Sequence, residues 1–165
     1  MSEEPQHREP TLATDYAGAI YGAIISTALI GALREAGLTS QEMALDVAAT
    51  MLVFWIAHTW AAIAGERIHL GHGLLAHRMR ALGREEWPIV EAGLVPVIPL
   101  VLGWIGVVDQ DAATWLAIAV GIGQLFLWGF VLGRRIYHTW LGATLAALGD
   151  GGIGVVIVLL EIWIH

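Results

Sequence analysis

Hydrophobic residues in this chain come in long unbroken runs, not at the alternating or stripe-like spacing of half-buried elements. A helix needs roughly 20 apolar residues to cross a bilayer. Five stretches meet or approach that length: about 15–33, 44–66, 87–107, 113–132 and 140–163. A soluble bundle keeps a polar face on each helix for water, whereas stretches such as 94–108 and 153–160 are apolar on every side. The pattern predicts an all-α, multi-pass transmembrane helical bundle of five spans over 15–165, behind a polar tail over 1–14. The fifth span carries Gly149, Asp150, Gly151 and Gly152 at its middle. Glycine permits a break, so an interrupted helix is expected there; the remainder, 153–164, would be only about 18 Å long at 1.5 Å per residue.

The segment 69–86 has a different period. On a helical wheel Leu70, Leu74, Leu75, Met79 and Leu82 fill one half, and His69, His77, Arg80 and Arg84 a narrow opposite arc. This pattern predicts an interfacial amphipathic helix whose arginines face anionic headgroups. Cytoplasmic loops concentrate positive charge. With the N-terminus inside and the C-terminus outside, Arg8, Arg67, Arg78, Arg80, Arg84, Arg134 and Arg135 fall inside and only Arg34 outside. The expected location is a cell membrane, with the first span an uncleaved anchor because no basic n-region or cleavage motif precedes it. Trp87, Trp104, Trp115, Trp140 and Trp163 stand near span ends, where aromatic belts form. Trp55, Trp60 and Trp128 fall inside spans, as packing residues.

Composition narrows the function. The chain is 57% hydrophobic and 14% charged, with a net charge of −7 and a mean hydropathy of +0.69. These values exclude a disordered chain, a nucleic-acid binder and an ordinary soluble enzyme. With no cysteine, disulfides, thiolate metal sites and cysteine nucleophiles are impossible. His-Glu-x-x-His, Gly-x-Ser-x-Gly and phosphate-loop motifs are absent from the sequence.

Ionisable groups inside spans are costly, at roughly 2.5–3.5 kcal/mol for an aspartate or basic residue at mid-helix. His58, Glu66, Glu91 and Asp150 are therefore the candidate ion or proton pathway. At about 100° per residue, His58, His69 and His72 share one helical sector and Glu66 flanks it. Imidazole and carboxylate together suit a borderline divalent cation, so Glu66, His69 and His72 form the candidate metal set at the inner mouth. The bland alternative has His58 in a helix–helix hydrogen bond and the other three in headgroups. Glu91 follows Pro88 and precedes Pro96 and Pro99, which loosen the backbone ladder and free carbonyls. Asp46 and Glu161 read as boundary residues. Gly18, Gly22 and Ser26 make a small-residue stripe for close packing, either in a homodimer or within one chain.

Several of these segments resemble the vacuolar iron transporter family, which has five spans with the same orientation. Residues 21–27 (YGAIIST) are similar to its first helix, and 61–66 (AAIAGE) to the second-helix motif ending in Gly-Glu. Residues 96–100 (PVIPL) and 125–129 (LFLWG) are similar to its third and fourth helices. The resemblance implies a metal-transporting fold and carries over Glu66. Tyr21 and Ala62 replace an acidic residue and a methionine of the family, and its acidic cytoplasmic helices are missing. The chain also resembles small integral membrane proteins of high-GC Gram-positive bacteria. The leading expectation is a divalent-cation or proton-coupled transporter of homodimeric form, with the lipid bilayer as its other partner and no cofactor beyond a divalent metal ion. A non-transporting accessory or scaffold subunit is the rival, and an intramembrane redox or metal enzyme comes third.

Overall fold

The computed structural model describes residues 12–70 and 76–164. Seven helices follow one another: α1 (Leu12–Glu35), α2 (Ser40–Leu70), α3 (Ala76–Glu85), α4 (Pro88–Leu94), α5 (Val97–Trp104), α6 (Gln110–Tyr137) and α7 (Trp140–Ile164). Four of them hold segments long and apolar enough to cross a membrane: Tyr16–Glu35, Ser40–Glu66, Gln110–Tyr137 and Trp140–Leu160. A fifth crossing is formed if His77–Leu94 and Val97–Trp104, bent by 50°, count as one broken span. Most of the polar tail expected over 1–14 lies outside the described residues, and α1 begins at Leu12.

The exterior is greasy. On α2, Val53, Ile56 and Trp60 are each about three-fifths exposed, and Leu141, Leu145 and Leu148 face outward on α7. Water does not tolerate apolar area on this scale; hydrocarbon does. Two cation–π pairs bracket α6: Arg34 lies over Trp115 at 4.5 Å and Arg134 over Trp140 at 4.4 Å. Trp115 and Arg134 are 19 residues apart, about 28 Å of helix, which matches a ~30 Å hydrocarbon core.

Helix ends follow local chemistry. Thr39 and Glu42 make a reciprocal capping box at the start of α2: the Thr39 N–H donates to Glu42 Oε2 at 2.9 Å and the Glu42 N–H to Thr39 Oγ1 at 3.3 Å. Thr39→Ala is expected to cost about 1 kcal/mol, read as a lower melting temperature in detergent by circular dichroism. Asp109 caps α6 by accepting from the Ala112 N–H at 2.9 Å. At the far end of α6, His138 adopts the left-handed conformation (φ 52°) and its N–H donates to the Arg134 carbonyl.

Three expectations change. First, the third span is not one helix. Pro96 and Pro99 lack the N–H groups that would bond the carbonyls of Ala92 and Val95, and the chain bends between α4 and α5. Second, α3 packs against α2, a contact that its amphipathic pattern does not reveal. It runs antiparallel to α2: Arg78 is ion-paired to Glu66, and Trp55 Nε1 donates to the Gly83 carbonyl at 2.7 Å. Its small and apolar positions, Leu82 and Gly83, are buried. Third, α7 is unbroken through Gly149–Gly152. Its glycines serve contact with α6: a Cβ at Gly151 would fall 2.4 Å from the Phe126 ring, and one at Gly154 2.7 Å from Leu125. Gly129 and Gly133 of α6 return the same fit against Ala146, Ala147 and Ala143.

The small-residue stripe on α1 is occupied within the chain. A Cβ on Gly22 would stand 2.2 Å from the Ile89 carbonyl oxygen of α4, and Gly18 faces Pro88 and Ile89. Ser26 is buried, its Oγ donating to the Ala23 carbonyl at 3.2 Å. The main core cluster, including Ile30, Met43, Val47, Met51, Leu100 and Ile118, fills the half of the bundle nearest the α1–α2 turn. Clefts open in the other half, where Arg78, Arg80, Arg84, Arg134 and Arg135 cluster.

Candidate functional site: a cleft at the broken helix

α1, α4 and α6 enclose a cleft of about 410 Å³ lined by Tyr16, Ala19, Pro88, Glu91, Ala92, Val95, Gln124 and Trp128. Its cause is local. Helix α4 is only seven residues long and is bounded by Pro88 and Pro96. Pro96 denies the Ala92 carbonyl its regular i+4 donor, leaving it a long bond from the Val95 N–H at 3.4 Å. Gln124 of α6 supplies the replacement, its Nε2–H donating to Ala92 O at 3.1 Å. The other amide atom, Oε1, is buried with no hydrogen-bond partner. Trp128 Nε1, one turn along α6, is likewise buried and unpartnered. Tyr16 packs edge-on to Trp128, with ring centroids 5.4 Å apart, and Arg135 lies over Tyr16 at 5.3 Å.

Glu91 stands at the mouth, exposed, and its carboxylate makes no hydrogen bond or ion pair among the described residues. Gln124 lies about 21 Å along α6 from its start and Trp128 about 27 Å, so both fall inside the segment Gln110–Tyr137 that is long and apolar enough to cross a membrane. A carboxylate at hydrocarbon depth without a partner is costly. The lining thus offers an acid, an amide oxygen, an indole N–H and aromatic faces to whatever enters. Gln124→Leu is expected to lower stability by about 1 kcal/mol, since Ala92 O then keeps only the long bond from the Val95 N–H at 3.4 Å. The loss should shrink in a Pro96→Ala background, where residue 96 regains the N–H that α4 needs; detergent unfolding curves of the four proteins measure this.

The other expected pathway residues occupy separate neighbourhoods. His58 Nδ1 lies 3.0 Å from the Phe54 carbonyl oxygen of its own helix, so that nitrogen carries the donated proton. The ring of His58 faces Tyr21 at 5.3 Å. Glu66 is gripped by Arg78, whose Nε–H donates to both carboxylate oxygens at 2.9 and 3.1 Å, while Nη1 reaches Glu85 at 3.1 Å. That pairing ties α2 to α3, and a guanidinium on the carboxylate disfavours a second cation there. Asp150 is half-buried beside Gly129. Of the four, Glu91 alone lines the cleft.

The metal set is only partly visible. The side chain of His69 and all of His72 lie outside the described residues. Among the described residues, no three of His, Cys, Asp and Glu gather to hold an ion. Gln124, Tyr16 and Trp128 were not singled out as site residues from sequence. A lone amide in span four was the available signal, but it carries no charge and so escapes a search for ionisable groups. The chain matches no protein-family model, no curated protein and no solved structure.

Proposed function

We propose that this protein is a multi-pass membrane transporter that moves a cation against a proton, with Glu91 as the exchanging group. The single observation that carries the reading is an unpaired carboxylate facing a cleft against the membrane-length α6, beside a helix broken by two prolines. Discontinuous helices and intramembrane acids recur where ions are bound in transporters. In this reading Glu91 is neutral while protonated. It yields its proton when a cation enters, and Gln124 Oε1 supplies a second oxygen ligand. The resemblance to vacuolar iron transporters supports cation chemistry in general; the route runs past Glu91, while Glu66 is paired to Arg78 of α3. The arginine-rich end is placed inside, following the charge bias of cytoplasmic loops.

The test is flux in proteoliposomes carrying a trapped pH dye. Gradients of Na⁺, Mn²⁺ and Fe²⁺ are imposed in turn. The expected result is a change in internal pH driven by at least one of these ions and absent from Glu91→Gln. No pH change with any ion, together with a stoichiometric partner co-purifying from membranes, would replace this reading with that of an accessory subunit.

A further inference from the structure

A second cleft, of about 460 Å³, lies between α2 and α3 on the side away from Glu91, with Trp55 and Trp87 walling one end. Their rings meet edge to face, with centroids 5.4 Å apart. Ile63 and Met79 give it an apolar floor. Arg80 and Arg84, one turn apart on α3, stand exposed at its rim. Neither arginine has an acidic partner among the described residues, whereas Arg78 beside them is neutralised by Glu66 and Glu85. Thr59 Oγ1 is buried at the cleft with no hydrogen-bond partner. A helical threonine ordinarily donates back to its own helix, as Thr27 does to the Ala23 carbonyl at 2.7 Å.

Depth decides what can reach this place. Thr59 lies about 28 Å along α2 from Ser40, near the far boundary of a ~30 Å core. The cleft therefore straddles headgroup and acyl levels. We infer that it is a binding site for one anionic phospholipid, whose phosphate bridges Arg80 and Arg84 and whose first acyl carbons lie over Ile63 and Met79. Guanidinium pairs suit phosphate oxygens geometrically. Two unneutralised guanidiniums favour a lipid of net negative charge over one whose ammonium headgroup cancels its phosphate. Thr59 donates to a glycerol ester oxygen. Trp87, more than one-third exposed, occupies the boundary position that tryptophan prefers.

The experiment uses the full chain, purified in detergent, delipidated and titrated with phosphatidylglycerol or phosphatidylcholine while native mass spectrometry counts bound lipid. Wild type should hold one phosphatidylglycerol about tenfold more tightly than phosphatidylcholine. The double variant Arg80→Gln, Arg84→Gln should lose that preference, while Arg134→Gln, Arg135→Gln keeps it. Thr59→Leu fills the cleft without touching a charge and should also weaken the phosphatidylglycerol adduct several-fold; it carries the test if the double arginine variant fails to fold. Equal binding of the two lipids by wild type overturns the inference. So does a preference that survives Thr59→Leu, which would mean a diffuse basic surface and no built site.

Discussion

Gly22→Ala should destabilise the protein by about 3 kcal/mol or more, while Gly18→Ala, one turn earlier on the same face, should change it by less than about 1 kcal/mol. The contrast comes from what each new methyl meets. At Gly22 it would lie 2.2 Å from the Ile89 carbonyl oxygen, 3.0 Å from the carbonyl carbon and 3.2 Å from the Cα. All three are backbone atoms of α4, so no side chain can swing aside. The helices would have to separate by roughly 1 Å, and close-packed interiors resist that. At Gly18 the nearest atom is Ile89 Cγ1 at 3.3 Å, a side-chain carbon that can shift by a few tenths of an ångström. The cleft shares this contact, since Pro88, Glu91 and Ala92 belong to α4 and Tyr16 and Ala19 to α1. Unfolding by a denaturing detergent, followed by circular dichroism, separates the two variants. Equal stability of both would mean that α1 and α4 do not approach at Gly22.

Glu91→Gln is expected to reduce proton-coupled uptake to the level of empty liposomes and to leave stability equal or higher. The two readouts together identify the role. A carboxylate kept for structure is paired, and removing its charge strands the partner. Glu91 has no partner among the described residues, so its amide loses nothing in the fold and escapes the cost of a charge at hydrocarbon depth. The glutamine keeps the shape of the side chain but has no proton to release. Glu91→Asp keeps the acid and should retain part of the flux. Full flux in Glu91→Gln would remove this residue from the route; lowered stability would make it a packing residue.

Much of the architecture is written in local pattern. Uninterrupted apolar runs predict membrane-length helices because the hydrocarbon core imposes a minimum length and forbids unpaired backbone groups. The Thr39–Glu42 box and the prolines at 88, 96 and 99 mark helix ends because capping and missing N–H groups act over a few residues. Glu91 stood out in the sequence for a similar reason: its charge and its neighbouring prolines are local facts.

Other features depended on what packs against what. Gly151 reads from sequence as a break, yet α7 continues through it because the ring of Phe126 fills the space a Cβ would take. The arc of Arg80 and Arg84 marks an amphipathic helix, but its contacts with Trp55 and Glu66 of α2 are visible only in the structure. Gln124 is tied to the site by its bond to the carbonyl of Ala92, 32 residues away. The sequence alone determined that the helices are long and apolar enough to cross a membrane and where several of them are capped, since those follow from neighbours along the chain. The tertiary structure alone decided which helices touch and which polar atoms are left over, since those follow from neighbours in space.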